Sequence, residues 1–524
     1  MKQEIDQLAD RHLRPDPLGV LVEGAAAHVG VVRVSISTVM ASSRGGQHLA
    51  WMLVNLLCRQ FKVVREILLD IPAVPTLDAV APFGRKALLG ESLLECVRLV
   101  SREHVGARLN SNADLVDISL GIGNVTSSGA EHWNLYADGW RYCITSSGGS
   151  RDAAPSSNLA IGPYMCAALA AGEVFKIFRG MRPGRGASIE SHFASAWTLS
   201  TSTTWDELED GPQAHEVGPL PHFYFAGAGA VAQAAAACLV GSGFKGCATV
   251  VDQDSLDLSN DNRYVLSNLS NDRADKAELL TTHLMAHGFS AKAAPVWWEE
   301  FAISRGRWAQ DADIAALERA YQFPIVLSCV DKNPPRHAIQ QALPGLIIGG
   351  STDGLTAKAS IVHLGLASAC LRCHNPLRSR NKIIRQRVDL LRAMTPDHRR
   401  TYCESNNLEA AIVDKILGPS ECGKLSEADL SRFADDAPEM SVGFVSAAAG
   451  VLLVVQFLRV VALGPKEALM PGAMAVATFA RAGLRPLRVG RDQACDCHVA
   501  LGERWRRTWA GTLQESLDDV SVGA

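Results

Sequence analysis

Between residues 222 and 252 an apolar strand, a glycine turn, an alanine-rich helix and a second strand ending in an acid follow one another without a break. Residues 222–226 run into Gly227-Ala-Gly229-Ala-Val-Ala232, the helix closes at Gly243-Phe-Lys-Gly246, and residues 247–251 lead to Asp252. Strand, tight turn, helix, strand is the opening unit of a doubly wound nucleotide-binding fold. The small residues let the backbone approach phosphate at a helix N-terminus, and an acid at the end of the next strand suits a ribose hydroxyl. A dehydrogenase would carry both features, so the residues that follow decide between chemistries.

The same plan is expected a second time, nearer the N-terminus. Residues 31–40 read as a strand, with Gly45-Gly46 at the turn, a helix over 48–58 and a strand at 67–69 ending in Asp70. Each copy closes on a glycine-plus-aromatic start to an apolar helix, at Gly162-Pro-Tyr164 and at Gly443-Phe444. The polar stretch 200–216 reads as a linker between the copies. The second copy is interrupted between Asn375 and Glu439 by a polar segment with charged helical stretches, expected as a small appended helical domain.

At 524 residues the chain is too long for one ordinary domain. Its formal net charge of −4 and lack of a basic run argue against nucleic acid as main partner. The first residues mix acids and bases without an apolar run, unlike a secretory signal, so a cytoplasmic, reducing setting is expected for the 13 cysteines. Residues 444–463 are apolar enough to resemble a membrane span. Gln456, Arg459 and the Ala/Gly content favour a buried helix instead, and no membrane partner is expected.

After Asp252 come Asp254, then Ser259-Asn260-Asp-Asn262-Arg263-Tyr, then Lys276, thirteen residues past Arg263. Here the chain resembles the adenylating domain of ubiquitin-activating enzymes and their bacterial sulfur-carrier relatives (the ThiF/MoeB-like superfamily). That pattern is Asp-x-Asp, Ser-Asn-Leu-x-Arg and a later Lys. Asp261 stands in place of the pattern's Leu and Tyr264 in place of its Gln, so altered packing beside the phosphates is expected. A triphosphate-binding enzyme uses such cations where negative charge concentrates as pyrophosphate departs. The apolar stretch 324–330 ends in Asp331 and matches the strand that presents a magnesium-binding carboxylate in that family. The resemblance therefore implies ATP and magnesium as ligands. Gly227 and Gly229 would lie at the turn, Asp252 on ribose with Asp254 beside it, Asn260, Arg263 and Lys276 around the phosphates, and Asp331 on magnesium. The first copy keeps none of these after Asp70 and looks like an inactive partner half. In that family an arginine of the partner half reaches the active site, for which Arg11, Arg14 and Arg44 are the candidates.

Cys370-Leu-Arg-Cys373 and Cys495-Asp-Cys497 are two close thiol pairs far apart in sequence, as in a structural four-thiolate zinc site. The single residue inside the second pair is tighter than the family spacing, leaving His374 or His498 as substitutes for Cys495. The resemblance also implies a catalytic thiol in the 375–438 insertion, which would accept the activated protein as a thioester. Cys403 and Cys422 are the candidates. Cys422 is favoured because it lies in a Gly/Pro-bounded loop beside Lys424. The remaining thiols, Cys247 among them, are expected as packing residues.

The expected fold is α/β: two doubly wound adenylation domains, one inactive (1–199) and one active (217–374 and 439–524), paired within one chain around a helical cysteine domain (375–438). The layout resembles the activating enzymes of bacterial ubiquitin-like conjugation operons linked to antiphage defence (the BilD type). It implies a ubiquitin-like protein as substrate and a ubiquitin-conjugating-like enzyme as acceptor, and intrachain pairing is compatible with a monomer. Two other readings are adenylation of a sulfur-carrier protein or peptide without an enzyme thioester, and a non-catalytic scaffold.

Overall fold

A computed structural model describes residues 29–111, 115–125, 131–146, 151–180, 188–304, 323–366, 369–375, 380–405, 440–470, 472–492 and 500–509, with residues 4, 5, 8, 9, 413, 414, 417, 495 and 497. Eight strands make the first sheet: β1 (Gly30–Ile36), β2 (Val64–Asp70), β3 (Gly106–Leu109), β4 (Ile118–Ile122), β5 (Glu131–Asp138), β6 (Arg141–Thr145), β7 (Ser191–Ser195) and β8 (Ser200–Ser202). The second is built from β9 (Leu220–Ala226), β10 (Gly246–Val251), β11 (Ser290–Ala294), β12 (Ile325–Ser328), β13 (Leu346–Asp353), β14 (Thr356–Val362), β15 (Met474–Thr478) and β16 (Gly483–Leu487).

The orders are β3-β2-β1-β4-β5-β6-β7-β8 and β11-β10-β9-β12-β13-β14-β15-β16, so the two sheets have one topology. In each the first five strands pair in parallel and the last three antiparallel. Strand order reverses between β1 and β4 and again between β9 and β12. At such a switch point the flanking connections leave in opposite directions and open a crevice at the carboxyl ends of the strands. The central β4 is covered on both faces, which is why it is buried at all five positions and reads as an apolar run.

The two halves share one continuous apolar core. Its spine is the helix Gly443–Leu469, which packs on the helix Ile161–Phe178 of the first half and on Ala230–Gly241 of its own. Phe444 packs, with rings tilted, between Phe175 (5.4 Å) and Phe479 (5.2 Å) at the seam. Both long helices are apolar enough to cross a membrane by length and composition, yet both are packed inside the protein. The longer one is broken at Gly464, where φ is 79° before Pro465.

The first copy departs from its sequence reading. Strand β1 stops at Ile36, and a helical turn, Thr38–Ala41, follows before Ser43 caps the helix Arg44–Leu57. Gly45 and Gly46 therefore lie inside a helix rather than at the turn, and residues 37–40 are not strand. Gly46 is needed for close approach: a Cβ there would stand 2.1 Å from the Met40 carbonyl oxygen. Register between the copies is set instead by the helix caps Ser43 and Gly229. Four residues after each cap is a fully buried glutamine. Gln47 accepts from Leu77 N–H (2.9 Å), and Gln233 accepts from Leu266 N–H (3.0 Å), so each pins the segment after the second strand.

Residues 200–216 are tied down more firmly than a linker requires. Ser200–Ser202 is the edge strand β8, Trp205 lies edge-on to Tyr136 at 4.8 Å, and the Trp140 indole N–H donates to the Pro212 carbonyl (2.9 Å). In the insertion the described helices are Arg380–Ala393 and Pro396–Ser405. Cys403 is buried there with Leu391 and Val413. Cys422, Arg11, Arg14 and His498 lie outside the described residues.

Candidate functional site

The crevice of the second sheet is built from the end of β9. Gly227 has φ of +95°, which an L side chain rarely adopts, and a Cβ on it would lie 3.2 Å from the Cys329 carbonyl group and from Val330. The backbone thus turns tightly against the end of β12, where Cys329 N–H donates to the Ala226 carbonyl (2.8 Å). Gly229 then caps the helix Ala230–Gly241, whose first N–H groups and dipole make an anion site.

Asp252, just past β10, accepts from Ala228 N–H (2.6 Å) and from Asp254 N–H (2.8 Å), so the acid fixes the glycine turn. Burial pushes its carboxyl above the ordinary range, against the pull of those two N–H donors. Asp254 is half exposed and pairs with the Lys276 ammonium at 3.0 Å. Burial acts to lower the Lys276 ammonium, but Tyr264, Asp252 and Asp254 together outweigh it and hold it above its usual value. Lys276 is therefore a charged residue at the start of the helix Lys276–Ala286.

Tyr264 is the platform under both cations. The Arg263 guanidinium lies 5.4 Å and the Lys276 ammonium 5.8 Å from its ring centre. Its hydroxyl would be 3.3 Å from a Cβ on Gly229, which places it at the glycine turn. Arg263 is oriented by the Ser259 carbonyl (2.6 Å) and the Asn262 side-chain oxygen (2.7 Å). Asn260 is buried and closes the preceding turn, its side-chain oxygen facing Asp257 N–H at 3.4 Å. Asp331 is exposed, two residues beyond Cys329. The crevice thus gathers the glycine turn, Asp252, Asp254, Arg263 and Lys276; β12 stops at Ser328 rather than running to residue 330, so Asp331 lies three residues past the strand that packs against the turn.

The two departures from the motif have separate explanations. Tyr264 supplies a ring beneath the cations. Asp261 faces the other half: it is buried, accepts from the Ser267 hydroxyl (2.7 Å) and lies against Arg59. Arg44 does not approach this site. It opens its helix beside His48, whose ring would be 3.0 Å from a Cβ on Gly241, at the far end of the helix that the glycine turn begins. Among the described residues, Arg59, which no local pattern marks, is the first-half arginine that reaches the Asn260–Ser267 loop. In the first half the equivalent crevice is filled by the extra helical turn. Met40 is fully buried there, and a Cβ on Gly123 would meet it at 2.7 Å.

Cys370, Cys373, Cys495 and Cys497 converge, with all four sulfurs within 4.8 Å of one another. The separations are 3.7 Å (Cys370–Cys373), 3.6 Å (Cys370–Cys495) and 3.8 Å (Cys373–Cys497). Zinc bound tetrahedrally at about 2.3 Å from sulfur sets the sulfurs roughly 3.8 Å apart, whereas a disulfide needs about 2.05 Å. The donor set fits zinc, and Asp492 N–H points at the Cys373 sulfur (3.3 Å). Cys495 fills its position, so His374 is not required. Among the other thiols, Cys58, Cys96, Cys143, Cys166, Cys238 and Cys329 are buried as expected, but Cys247 is exposed.

Family models match both halves of the chain. Residues 222–499 match the ThiF family, and residues 31–189 match the BilD N-terminal domain. The uncharacterized protein y4jF of Sinorhizobium fredii (strain NBRC 101917 / NGR234) is 26% identical over 352 residues. That match covers 67% of this chain but 61% of y4jF, so the chain spans under two thirds of that relative's length. The crystal structure of E. coli MccB with MccA-N7isoASN is similar over 55% of this chain and 68% of its own, at 12% identity and a TM-score of 0.33. With its glycine turn, its acid after β10 and the family match over more than half its length, this chain belongs to the ThiF family.

Proposed function

We propose that the protein activates a ubiquitin-like protein: it adenylates that protein's C-terminal carboxylate with ATP and then takes the acyl group onto its own Cys422. The observation that carries the reading is the arrangement of Arg263 and Lys276 over one buried tyrosine beside the glycine turn. Two cations held against an anion-binding helix N-terminus suit a polyphosphate, and ThiF membership is consistent with adenylating chemistry.

In this reading the ribose of ATP sits against Asp252 and its phosphates against the turn from Gly227 to Gly229. A carboxylate oxygen of the ubiquitin-like protein attacks the α-phosphorus, the bond to the bridging oxygen breaks, and pyrophosphate leaves with the bonding electrons. Arg263 and Lys276 offset the charge that accumulates on it, and Asn260 holds the turn that presents Arg263. Asp331 would hold magnesium, which supplies further charge neutralisation on the phosphates. The Cys422 thiolate then attacks the acyl carbon, AMP departs, and the thioester is available to a ubiquitin-conjugating-like enzyme. The packing of Cys403 among Leu391 and Val413 supports Cys422 as the acceptor, because a nucleophilic thiol must be accessible. The four-cysteine site would hold zinc structurally, four protein ligands leaving no open position.

The division of labour follows: residues 1–199 an inactive partner half, 217–374 with 439–524 the active domain, and 375–438 the cysteine domain. The filled crevice at Met40 supports the inactive assignment. Incubation with magnesium-ATP and a ubiquitin-like protein tests the reading. A thiol-sensitive adduct of the summed mass is expected, and adenylation without any such adduct would favour a sulfur-carrier or peptide substrate.

A further inference from the structure

The loop that carries Asn260, Arg263 and Tyr264 has little regular structure of its own. It is held from outside by the last turn of the helix Arg44–Leu57 and the residues just after it, in the other half of the protein. Arg59 is 1% exposed. Its Nε donates to the Asn55 side-chain oxygen (2.9 Å), Nη1 to the Asp261 carbonyl (2.5 Å) and Nη2 to the Ser267 carbonyl (2.6 Å). Asn55 in turn donates to the Val265 carbonyl (2.8 Å). Three carbonyls within seven residues are thus fixed by one arginine–asparagine pair, and Arg263 and Tyr264 stand between them.

We propose that Arg59 is a positioning residue for the nucleotide site: by gripping the loop at Asp261 and Ser267 it sets where Arg263 and Tyr264 stand. The proposal rests on the reading of the crevice as an ATP site. Its physical basis is the cost and shape of the group. Burial pushes the guanidinium below its usual pKa, so placing it there is unfavourable. If it served only to hold two surfaces together, an apolar side chain of similar volume would do so as well or better. What an apolar side chain cannot do is fix carbonyl directions, for which the planar five-donor fork is suited and an ammonium is not. The inactive half would then contribute to the reaction without touching substrate, by pre-setting a loop whose displacement by about 1 Å costs roughly a hundredfold in rate.

The test compares wild type with Arg59→Met, which keeps volume, and Arg59→Lys, which keeps charge but gives up the fork. Two quantities are read in the full chain: the Kd for magnesium-ATP and amide hydrogen exchange across residues 259–267. The expected result for Arg59→Met is a Kd raised at least tenfold and faster exchange confined to 259–267, with β1 and β9 unchanged. Arg59→Lys should fall between it and wild type, and it carries the test alone if Arg59→Met does not fold. An unchanged Kd in a folded variant, or unchanged exchange at 259–267, overturns the proposal. Wild type that fails to bind magnesium-ATP overturns the ATP reading instead, and hydrogen exchange then decides by itself whether Arg59 positions the loop.

Discussion

Replacing Gly227 by alanine should damage the protein far more than the same change two residues later. At φ of +95° a non-glycine residue carries roughly 1–3 kcal/mol of backbone strain. The new methyl would also lie 3.2 Å from the carbonyl carbon and oxygen of Cys329 and from Val330. Those atoms cannot retreat easily, because Cys329 N–H is bonded to Ala226 and β12 is paired on both sides. The turn must move instead, which strains the 2.6 Å bond between Ala228 N–H and Asp252. A loss of about 2–3 kcal/mol at roughly 1 °C per kcal/mol for a cooperative unit of this size lowers the melting temperature by about 2–3 °C. Gly229 has φ of −75°, and its nearest neighbour is the Tyr264 hydroxyl at 3.3 Å. Gly229→Ala should therefore cost only the helix-cap preference, below about 1 kcal/mol. Differential scanning calorimetry of both variants, with the magnesium-ATP Kd of each, makes the comparison. A Gly227→Ala protein that melts within a degree of wild type, or a Gly229→Ala protein that melts below Gly227→Ala, would refute the geometry assigned to the turn.

Purified protein should contain one zinc per chain, and Cys373→Ser should lose it together with thermal stability; elemental analysis below about a tenth of an equivalent removes the zinc assignment. Cys422→Ala should erase the thiol-sensitive adduct yet retain pyrophosphate exchange, while Cys403→Ala keeps the adduct; the reverse pattern on a non-reducing gel reassigns the acceptor. Lys176→Met leaves Glu173 buried without the ammonium that now lies 2.5 Å away, at a cost of about 3–5 kcal/mol near neutral pH. Burial already holds the Glu173 carboxyl above its usual pKa, so its folded-state value exceeds its unfolded one. In Lys176→Met the penalty should therefore shrink as pH falls and the acid takes up a proton. Urea titrations at two pH values check the sign, and a penalty that grows on acidification contradicts it.

Much of the second half was legible because its signals are consecutive. The run from the glycine turn to Asp252 and the spacing of Arg263 and Lys276 are local, and β9, β10 and the helix between them lie within two residues of where the pattern put them. The pairing of Cys370 and Cys373 with Cys495 and Cys497 was legible for a different reason, since close thiol pairs have few other uses in a reducing setting. The first half misled at Gly45-Gly46. An inserted helical turn separates strand from cap there, and paired glycines look alike in a turn and in a tightly packed helix. Arg59 could not be found from sequence, because its partners Asp261 and Ser267 are 202 and 208 residues away. The buried glutamines Gln47 and Gln233 repeat a true register, but a polar residue in an apolar helix only reveals its purpose once Leu77 and Leu266 are placed beside it.

The most direct test of the proposed activity is ATP–pyrophosphate exchange with a ubiquitin-like protein as substrate. It reports adenylation alone and does not depend on which cysteine, if any, takes the acyl group. Exchange should require magnesium and the carrier's free C-terminal carboxylate. It should fall by at least a hundredfold in Arg263→Ala and in Asp331→Ala, while calorimetry shows both variants folded. Wild-type exchange rates in both variants, or no exchange by the wild-type protein with its carrier, would contradict the assignment of this crevice as an adenylation site.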